Sequence, residues 1–271
     1  MDVAIDGIRY HVEVCGEGAP PLVLLHGFTG DASTWKPFYD TFGEHATLIA
    51  PDIIGHGKTE SHEDLSRYQI ESVAHDLEGI LDELGVNEVD LLGYSMGGRL
   101  AITFALLFPN RVRKLILESA SPGLATEEER ELRRFKDAEL AQFIIEHGIK
   151  SFVEYWEEIP LFSSMKRLPA SINDSIRSQR LSNTTIGLAN SLLGMGTGSQ
   201  PSWWGQIDQL ACEVLLLTGG EDKKFCGIAE GMLKALKKSV WIVVENSGHT
   251  IHVEEREKFG TIVSDFLSKK I

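Results

Sequence analysis

The stretch Val89-Asp90-Leu91-Leu92-Gly93-Tyr94-Ser95-Met96-Gly97 decides the fold. Residues 89–92 have a strand pattern, and a helical pattern runs over 96–108 and ends before Pro109. Between them stands Gly-x-Ser-x-Gly, whose glycines permit a tight strand-to-helix turn. Such a turn exposes the hydroxyl of Ser95 beside the free N–H groups and positive dipole end of the helix. The stretch therefore predicts an active serine at the top of a sheet.

Strand and helix patterns alternate on both sides of this turn. The chain opens with a hairpin pattern around Asp6-Gly7. Helical spacing of apolar residues occurs at 69–84 and again at about 253–267. Short apolar runs typical of strands buried on both faces occur at 22–25, 46–50, 112–117, 214–217 and 240–244. This alternation predicts an α/β fold with a mostly parallel central sheet flanked by helices.

One long segment interrupts the alternation. Residues 126–204 contain helical stretches and loops but no clear core strand, and they are richer in charge, Ser and Asn. We therefore predict a single domain with an insertion. Residues 1–125 and 205–271 form the α/β core, and residues 126–204 form a helical cap.

The composition excludes several classes of partner. The chain of 271 residues has 40 acidic and 26 basic residues, a net charge of −14. An acidic surface repels phosphate backbones and anionic lipid, so we expect no nucleic-acid or membrane partner. The three cysteines are widely spaced and odd in number, which argues against a disulfide framework and against a zinc site.

The sequence pattern shows neither an export signal nor a membrane span, which predicts a cytoplasmic protein. Residues 1–6 lack the basic and apolar regions of a signal peptide, and no apolar run approaches the ~18 residues of a membrane span. We expect a soluble cytoplasmic enzyme. The sequence leaves the oligomeric state open, with a monomer as the default.

Two strand ends downstream offer the acid and the base that an active serine needs. The strand pattern at 214–217 is followed by Glu221 and Asp222. The strand pattern at 240–244, the last in the chain, is followed by His249. Ligands collect beyond the carboxyl ends of strands in open α/β sheets. The chain order Ser, Asp, His also fits a serine at this type of turn. We predict Asp222 as the acid and His249 as the base, with Glu221 and His252 as their alternatives.

Two backbone amides complete the predicted site. The first long sheet strand ends in His26-Gly27-Phe28. A loop at this position donates one N–H group to an oxyanion, and the residue after the serine donates the other. We therefore predict the N–H groups of Phe28 and Met96 as the oxyanion hole.

These motifs resemble the α/β-hydrolase fold family. The resemblance covers essentially the whole chain and rests on five motifs in the right order: His26-Gly27, 52–57, 93–97, Asp222 and Gly248-His249. It implies a Ser95–His249–Asp222 triad beneath a helical cap.

The string from Gly93 to Arg99 resembles, more narrowly, the 2-succinyl-6-hydroxy-2,4-cyclohexadiene-1-carboxylate synthases of menaquinone biosynthesis. Stretches at 118–124, 133–137, 156–162 and 177–183 are also similar to that family. The resemblance implies that Arg99, Arg133 and Arg180 bind substrate anions and that Tyr94 and Trp156 line the pocket. Arg134 is the alternative to Arg133, and Arg177 is the alternative to Arg180.

One of these roles also has support from the residues alone. Arg99 lies one helical turn after Ser95 on the same face, and helical side chains lean toward the N-terminus. Its charge can therefore approach the serine. The planar guanidinium suits bidentate recognition of carboxylates.

Three functions follow as hypotheses. The resemblance implies a lyase that eliminates pyruvate from a small polycarboxylate substrate, with Ser95 as a triad-activated general base and with no metal or organic cofactor. The second hypothesis is a carboxylesterase or C–C bond hydrolase with Ser95 as nucleophile. The third is a non-catalytic binding protein, and the intact Ser, Asp and His argue against it.

Overall fold

A central sheet of eight strands organises the structure, a computed structural model that describes residues 1–268. The sheet order is β1-β2-β4-β3-β5-β6-β7-β8. The strands are β1 Asp2–Ile5, β2 Ile8–Cys15, β3 Leu22–Leu25, β4 Leu48–Pro51, β5 Val89–Tyr94, β6 Val112–Glu118, β7 Glu213–Gly219 and β8 Ser239–Val244. β2 pairs antiparallel with β1 and β4, and the remaining pairs are parallel. The predicted α/β class and mostly parallel sheet are confirmed.

Helices cover both faces of the sheet. The α-helices are α1 Tyr39–Gly43, α2 Ile70–Glu83, α3 Met96–Leu107, α4 Glu127–Glu157, α5 Ala170–Leu181, α6 Thr185–Met195, α7 Lys223–Ala235, α8 Ile251–Glu254 and α9 Arg256–Ser268. Short 3-10 helices lie at Ala32–Phe38, Leu65–Tyr68, Pro109–Arg111, Pro160–Arg167 and Ile207–Gln209. None of the helices within residues 1–268 combines the length and the apolarity needed to cross a membrane.

Alternate residues of the inner strands pack into two apolar layers, one on each face of the sheet. Leu91 of β5 joins the layer built with α2 and α3, whereas its neighbour Leu92 joins the layer that contains Trp35 and α9. Since both faces are covered, the inner strands are apolar along their length, which is the pattern that reveals them in the sequence.

The parallel strands bring their carboxyl ends to one edge of the sheet. In the register, Leu25 of β3 stands opposite Gly93, and Tyr94 stands opposite Glu118 of β6. The segments that follow β3, β5, β6, β7 and β8 therefore leave the sheet side by side. This edge carries the predicted triad residues Ser95, Asp222 and His249 and the predicted oxyanion residue Phe28.

The segment between β6 and β7 is helical. Its helices α4 and α6 share a small apolar cluster that includes Ile144, Phe152 and Leu188. A capping box of Thr126 and Glu129 starts α4. The division of the chain into a core and a cap with these boundaries stays a prediction.

The predicted helix at about 253–267 is wrong in one respect, because two helices occupy this stretch. Glu255, between α8 and α9, has a φ of −133° and a ψ of 55°, which breaks the helical path. A side chain of α8 explains the early start: Glu254 accepts hydrogen bonds from the N–H groups of Gly248 (2.9 Å) and Thr250 (3.3 Å). This carboxylate therefore starts a helical turn directly after His249.

Candidate active site

Ser95 occupies the sharp turn between β5 and α3. Its φ of 51° lies in the left-handed region, which costs a non-glycine residue about 1–3 kcal/mol and persists only where the surroundings enforce it. Here the Ser95 N–H donates to the carbonyl of Glu118 over 2.9 Å. A Cβ on Gly93 would stand 2.4 Å from the carbonyl oxygen of Gly97. The two glycines of the motif are therefore required by close backbone approach.

The structure brings Ser95, His249 and Asp222 into one hydrogen-bonded row. His249 Nε2 lies 3.0 Å from Ser95 Oγ, and its Nδ1 lies 2.7 Å from Asp222 Oδ2. The side chains of His249 and Asp222 are 1% and 7% exposed. Asp222 Oδ1 accepts from the N–H of Phe225 over 3.2 Å, which caps α7 and aims the other oxygen at the imidazole. Such a row can move a proton from the serine to the histidine.

Glu221 and His252, the alternatives to Asp222 and His249, have other partners. Glu221 forms an ion pair with Arg167, with 2.7 Å between Oε1 and Nη1, and both side chains are largely exposed. His252 places Nδ1 2.9 Å from each carboxylate oxygen of Glu118. The geometry therefore favours Asp222 over Glu221 and His249 over His252.

The two residues that carry the predicted oxyanion donors line the same cavity as the serine. Phe28 and Met96 both line a cavity of about 170 Å³ that contains Ser95 and His249, which we call the serine cavity. Within residues 1–268 neither amide donates a hydrogen bond to another group. Both N–H groups are therefore available to an oxygen of a bound molecule.

Arg99 and Arg133 line the serine cavity. Arg99 Nη1 donates to the carbonyl of Met195 (2.6 Å) and to Gln200 Oε1 (2.5 Å), which holds the side chain in place. Burial, together with the charge of Arg133, lowers the pKa of Arg99 to about 10. Two guanidinium groups that line the same cavity favour an anion between them.

Asp137 holds Arg133 toward the cavity. Its Oδ1 accepts from Arg133 Nε over 2.8 Å, four residues along α4. The carboxylate is buried, and burial raises the pKa of Asp137. Among the contacts of residues 1–268 only Nε of Arg133 is engaged, so its two Nη groups remain open to a ligand.

Arg180 lies in a different place from Arg99 and Arg133. It lines an adjoining cavity of about 270 Å³, which we call the Arg180 cavity, and it is absent from the lining of the serine cavity. Arg134 binds Glu127 and the carbonyl of Gly198, and Arg177 binds Glu157. Neither alternative arginine lines the two cavities among the described residues.

Aromatic side chains form the walls. The ring of Tyr94 lies between two imidazoles, with centroids 5.5 Å from His249 and 4.7 Å from His252. Burial raises the pKa of Tyr94, so its phenol stays neutral, and its Oη lies 3.2 Å from Thr250 Oγ1. Trp156 lines the serine cavity and contacts Phe28 edge-on at 5.4 Å.

Two polar residues that sequence reasoning did not single out, Ser119 and Lys224, also line the serine cavity. The buried indole Nε1 of Trp156 and the buried Oγ of Ser119 have no hydrogen-bond partner within residues 1–268. Ser119 follows β6 at the same sheet edge as Ser95, which is the signal that could have identified it. Lys224, exposed on α7, adds a third cation. In the described part of the chain no cluster of His, Cys, Asp and Glu is arranged to hold a metal ion.

Comparison with known proteins places the chain in a family. A family model described as alpha/beta hydrolase fold matches residues 20–256. A Bacillus subtilis protein is provisionally named 2-succinyl-6-hydroxy-2,4-cyclohexadiene-1-carboxylate synthase. It is 48% identical to this chain, and the match spans 97% of this chain and 96% of that protein. A Serratia proteamaculans protein with that name is 28% identical, over 92% of this chain and 93% of its own.

Solved structures agree with the sequence comparisons. MenH from S. aureus superposes with a TM-score of 0.91 at 35% identity, over 95% of this chain and 97% of its own. A thermophilic esterase from Thermogutta terrifontis, solved with malate bound, gives a TM-score of 0.84 at 27% identity, over 98% of this chain and 96% of its own. The chain belongs to the α/β-hydrolase fold family.

Proposed function

We propose that the chain is a carbon–oxygen lyase. It eliminates pyruvate from 2-succinyl-5-enolpyruvyl-6-hydroxy-3-cyclohexene-1-carboxylate and gives 2-succinyl-6-hydroxy-2,4-cyclohexadiene-1-carboxylate. The names of the relatives that are 48% and 28% identical over nearly the whole chain support this reaction. The structural observation that carries the proposal is that Arg99 and Arg133 line the cavity into which Ser95 opens.

The reaction begins at the serine. His249, oriented by Asp222, takes the proton of Ser95, and Ser95 Oγ removes the hydrogen from ring carbon 2. That carbon lies between the succinyl carbonyl and the ring double bond, so its C–H bond is the acidic one. The electron pair then shifts through the double bond and breaks the bond between carbon 5 and oxygen. The released enol group takes a proton on its methylene carbon and becomes pyruvate, and no water is consumed.

The amides of Phe28 and Met96 assist the first step. As the hydrogen leaves carbon 2, negative charge develops on the succinyl carbonyl oxygen. Preorganised N–H donors stabilise such a charge, and losing one typically costs about 10²–10³-fold in rate. Their lack of other acceptors leaves them ready for this oxygen.

The arginines account for substrate choice. The chain carries a net charge of −14, so a trianionic substrate is repelled except where cations gather. Arg99 and Arg133 supply planar, positively charged donors that match carboxylates. We propose a small polycarboxylate as the partner, with a monomer as the active unit and a cytoplasmic location.

A carboxylesterase is the second candidate function. The same triad can attack an ester, and the likeness to the Thermogutta terrifontis esterase favours this possibility. The two functions differ in the use of water, because a hydrolase incorporates its oxygen and a lyase does not.

Isotopic water tests the proposed function. The reaction is run in ¹⁸O-labelled water with the cyclohexene substrate, and both products are analysed by mass spectrometry. We expect no label in either product beyond the exchange of the pyruvate keto oxygen, which a control with added pyruvate measures. Stoichiometric label in a product carboxylate, or an acyl group on Ser95 after rapid quench, would show hydrolysis instead.

A further inference from the structure

The turn that carries the amide of Phe28 is strained. Residues 27–30 form a β-turn, closed by a hydrogen bond of 3.0 Å from the N–H of Gly30 to the carbonyl of Gly27. Its third residue, Thr29, has a φ of 71°. A positive φ at this position is typical of a type II turn and normally selects Gly or Asn, whereas a β-branched residue is an outlier there. Thr29 is buried, and such a conformation persists only where the surroundings enforce it.

A side chain from outside the sheet holds this turn. Asn183 lies between helices α5 and α6, in the predicted cap, and is 6% exposed. Its Nδ2 donates to the carbonyl of Thr29 over 2.9 Å, and its Oδ1 accepts from the N–H of Gly57 over 3.1 Å. The carbonyls of Arg180 and Gln179 also accept from Nδ2, at 3.2 Å and 3.3 Å. One planar amide therefore joins the loops after β3 and β4 to the cap.

The core connects the same two loops without holding Thr29. Asp52 accepts hydrogen bonds from the N–H groups of Ala32 (2.6 Å) and Lys58 (2.7 Å). These bonds fix the loops on either side of the turn. Within residues 1–268 the bond from Asn183 is the only hydrogen bond that the carbonyl of Thr29 accepts. The strained residue thus depends on the cap for its hydrogen bond.

Close backbone packing fixes the position of Asn183 itself. A Cβ on Gly187, at the start of α6, would stand 2.2 Å from the carbonyl oxygen of Gly55. A Cβ on Gly55 would stand 2.7 Å from the carbonyl oxygen of Gly187. The two segments therefore touch through their backbones, which places the nearby Asn183 at a defined distance from the turn.

We propose that Asn183 is a positioning residue for the oxyanion hole, acting through the carbonyl of Thr29 on the amide of Phe28. The inference rests on the proposed function and gives the segment 126–204 a part in the chemical step. The bond to Asn183 keeps the φ of Thr29 positive. Relaxation of this residue to a negative φ would rotate the preceding amide of Phe28 away from the charge that develops on the substrate, and catalysis is sensitive to such displacement.

Paired variants separate this role from general docking of the cap. Asn183→Leu removes both hydrogen bonds at nearly constant volume. Asn183→Asp keeps the acceptor for Gly57, but an ionised carboxylate has no donor for Thr29. Asn190→Leu is the matched control, because Asn190 on α6 donates to the carbonyl of His62 in a core loop over 3.0 Å and lies outside both cavities.

Steady-state rates of pyruvate release give kcat and KM for each variant, and thermal unfolding verifies that each is folded at the assay temperature. We expect Asn183→Leu and Asn183→Asp to lower kcat about 10- to 100-fold, since a whole oxyanion donor is worth about 10²–10³-fold and a displaced one keeps part of that. KM should change less than about 3-fold, because the arginines are untouched. Asn190→Leu should stay within about 2-fold of the wild type. A rise in KM without a loss in kcat, or an equal loss of kcat in Asn190→Leu, would overturn the proposal.

Rescue at Thr29 tests the route through the turn. Glycine adopts a positive φ about as readily as a negative one, so Thr29→Gly removes the strain that Asn183 has to hold. In the Thr29→Gly background, Asn183→Leu should lower kcat by no more than about 3-fold. Independent sites give additive effects. The same loss in both backgrounds would therefore contradict an action of Asn183 through Thr29.

Hydrogen exchange followed by mass spectrometry examines the turn without any turnover. The amide of Gly30 closes the turn, and losing one buried hydrogen bond beside it should speed exchange in the segment 27–30 at least about 5-fold in Asn183→Leu. Asn190→Leu should exchange as the wild type does. Unchanged exchange in Asn183→Leu would overturn the proposal. A wild-type enzyme that releases no pyruvate contradicts the proposed function instead, because this readout does not depend on the reaction.

Discussion

His252 Nδ1 lies 2.9 Å from both carboxylate oxygens of Glu118. The two side chains are 3% and 0% exposed. The carbonyl of Glu118 also accepts the N–H of Ser95 over 2.9 Å, and the N–H of His252 donates to Glu118 Oε1 over 3.0 Å. A single residue thus connects the turn of Ser95 to helix α8, which follows His249. We therefore expect His252 to anchor the structure and His249 to transfer the proton.

Replacing this anchor should destabilise the fold. Glu118→Gln keeps the shape of the side chain but loses one acceptor in a buried site, which costs about 1–3 kcal/mol of unfolding free energy. Urea denaturation measures the change. Glu230→Gln is the control, because Glu230 pairs with Lys234 on the exposed face of α7 and surface pairs contribute about 0–1 kcal/mol. Equal losses in both variants would rule out the anchoring role.

Ser95→Ala should fold normally and lose most of its activity. Removing the hydroxyl removes the base, and residual catalysis is left to substrate binding and the oxyanion hole, so kcat should fall by several powers of ten. Ser119→Ala is the matched control, since its buried Oγ lines the same cavity without joining the triad row. A loss below about 10-fold in Ser95→Ala would remove this residue from its assigned role.

The two neighbouring acids should differ sharply. Asp222→Asn disrupts the hydrogen bond that holds the His249 tautomer, and comparable changes in other triads lower kcat about 10⁴-fold. Glu221→Gln alters an exposed ion pair with Arg167 and should leave kcat within about 2-fold. Steady-state kinetics on the cyclohexene substrate compares them. If Glu221→Gln lowers kcat more than Asp222→Asn does, Glu221 is the acid that orients His249.

The sequence predicts the fold well because its inner parallel strands are buried on both faces, whereas the edge strand β8 is mostly half-exposed. An apolar run such as Leu22–Leu25 is visible without any partner, since every residue in it faces a core layer. The Gly-x-Ser-x-Gly turn is equally local, because Gly93 and Ser95 are constrained by atoms a few residues away. Local constraints of this kind leave a mark on the sequence, so the class of fold and the place of the serine follow from it.

The rest of the site depends on tertiary contacts that leave no local mark. Asp222 and Glu221 are adjacent, and Asp222 is the one that contacts His249, while Glu221 pairs with Arg167. The placement of Arg180 depends on how α5 meets the loop after β3, where Gln179 binds Asp31 over 2.7 Å. The Asp222–His249 and Gln179–Asp31 contacts join residues far apart in the chain, so no spacing rule predicts them. Their roles in catalysis stay predictions.

The arginines of the serine cavity provide the last prediction, because they separate the lyase from a generic esterase. Arg99→Ala and Arg133→Ala each remove a charge-assisted hydrogen bond to a carboxylate, which contributes about 1.5–3 kcal/mol. We expect kcat/KM on the anionic substrate to fall about 10- to 150-fold. Lysine replacements should recover little, because an ammonium group cannot reproduce the planar fork. Arg99, fixed on rigid helix near Ser95, should affect kcat as well as KM.

A second substrate makes this test selective for charge recognition. Hydrolysis of a neutral nitrophenyl ester, where the enzyme has this side activity, should stay nearly unchanged in Arg99→Ala and Arg133→Ala. Arg134→Ala is the matched control, since Arg134 neighbours Arg133 but binds Glu127 and the carbonyl of Gly198 outside both cavities. It should behave as the wild type on both substrates. Equal losses on the two substrates would mean general damage to the pocket, and full activity of Arg133→Ala on the anionic substrate would reduce Arg133 to a solvated residue paired with Asp137.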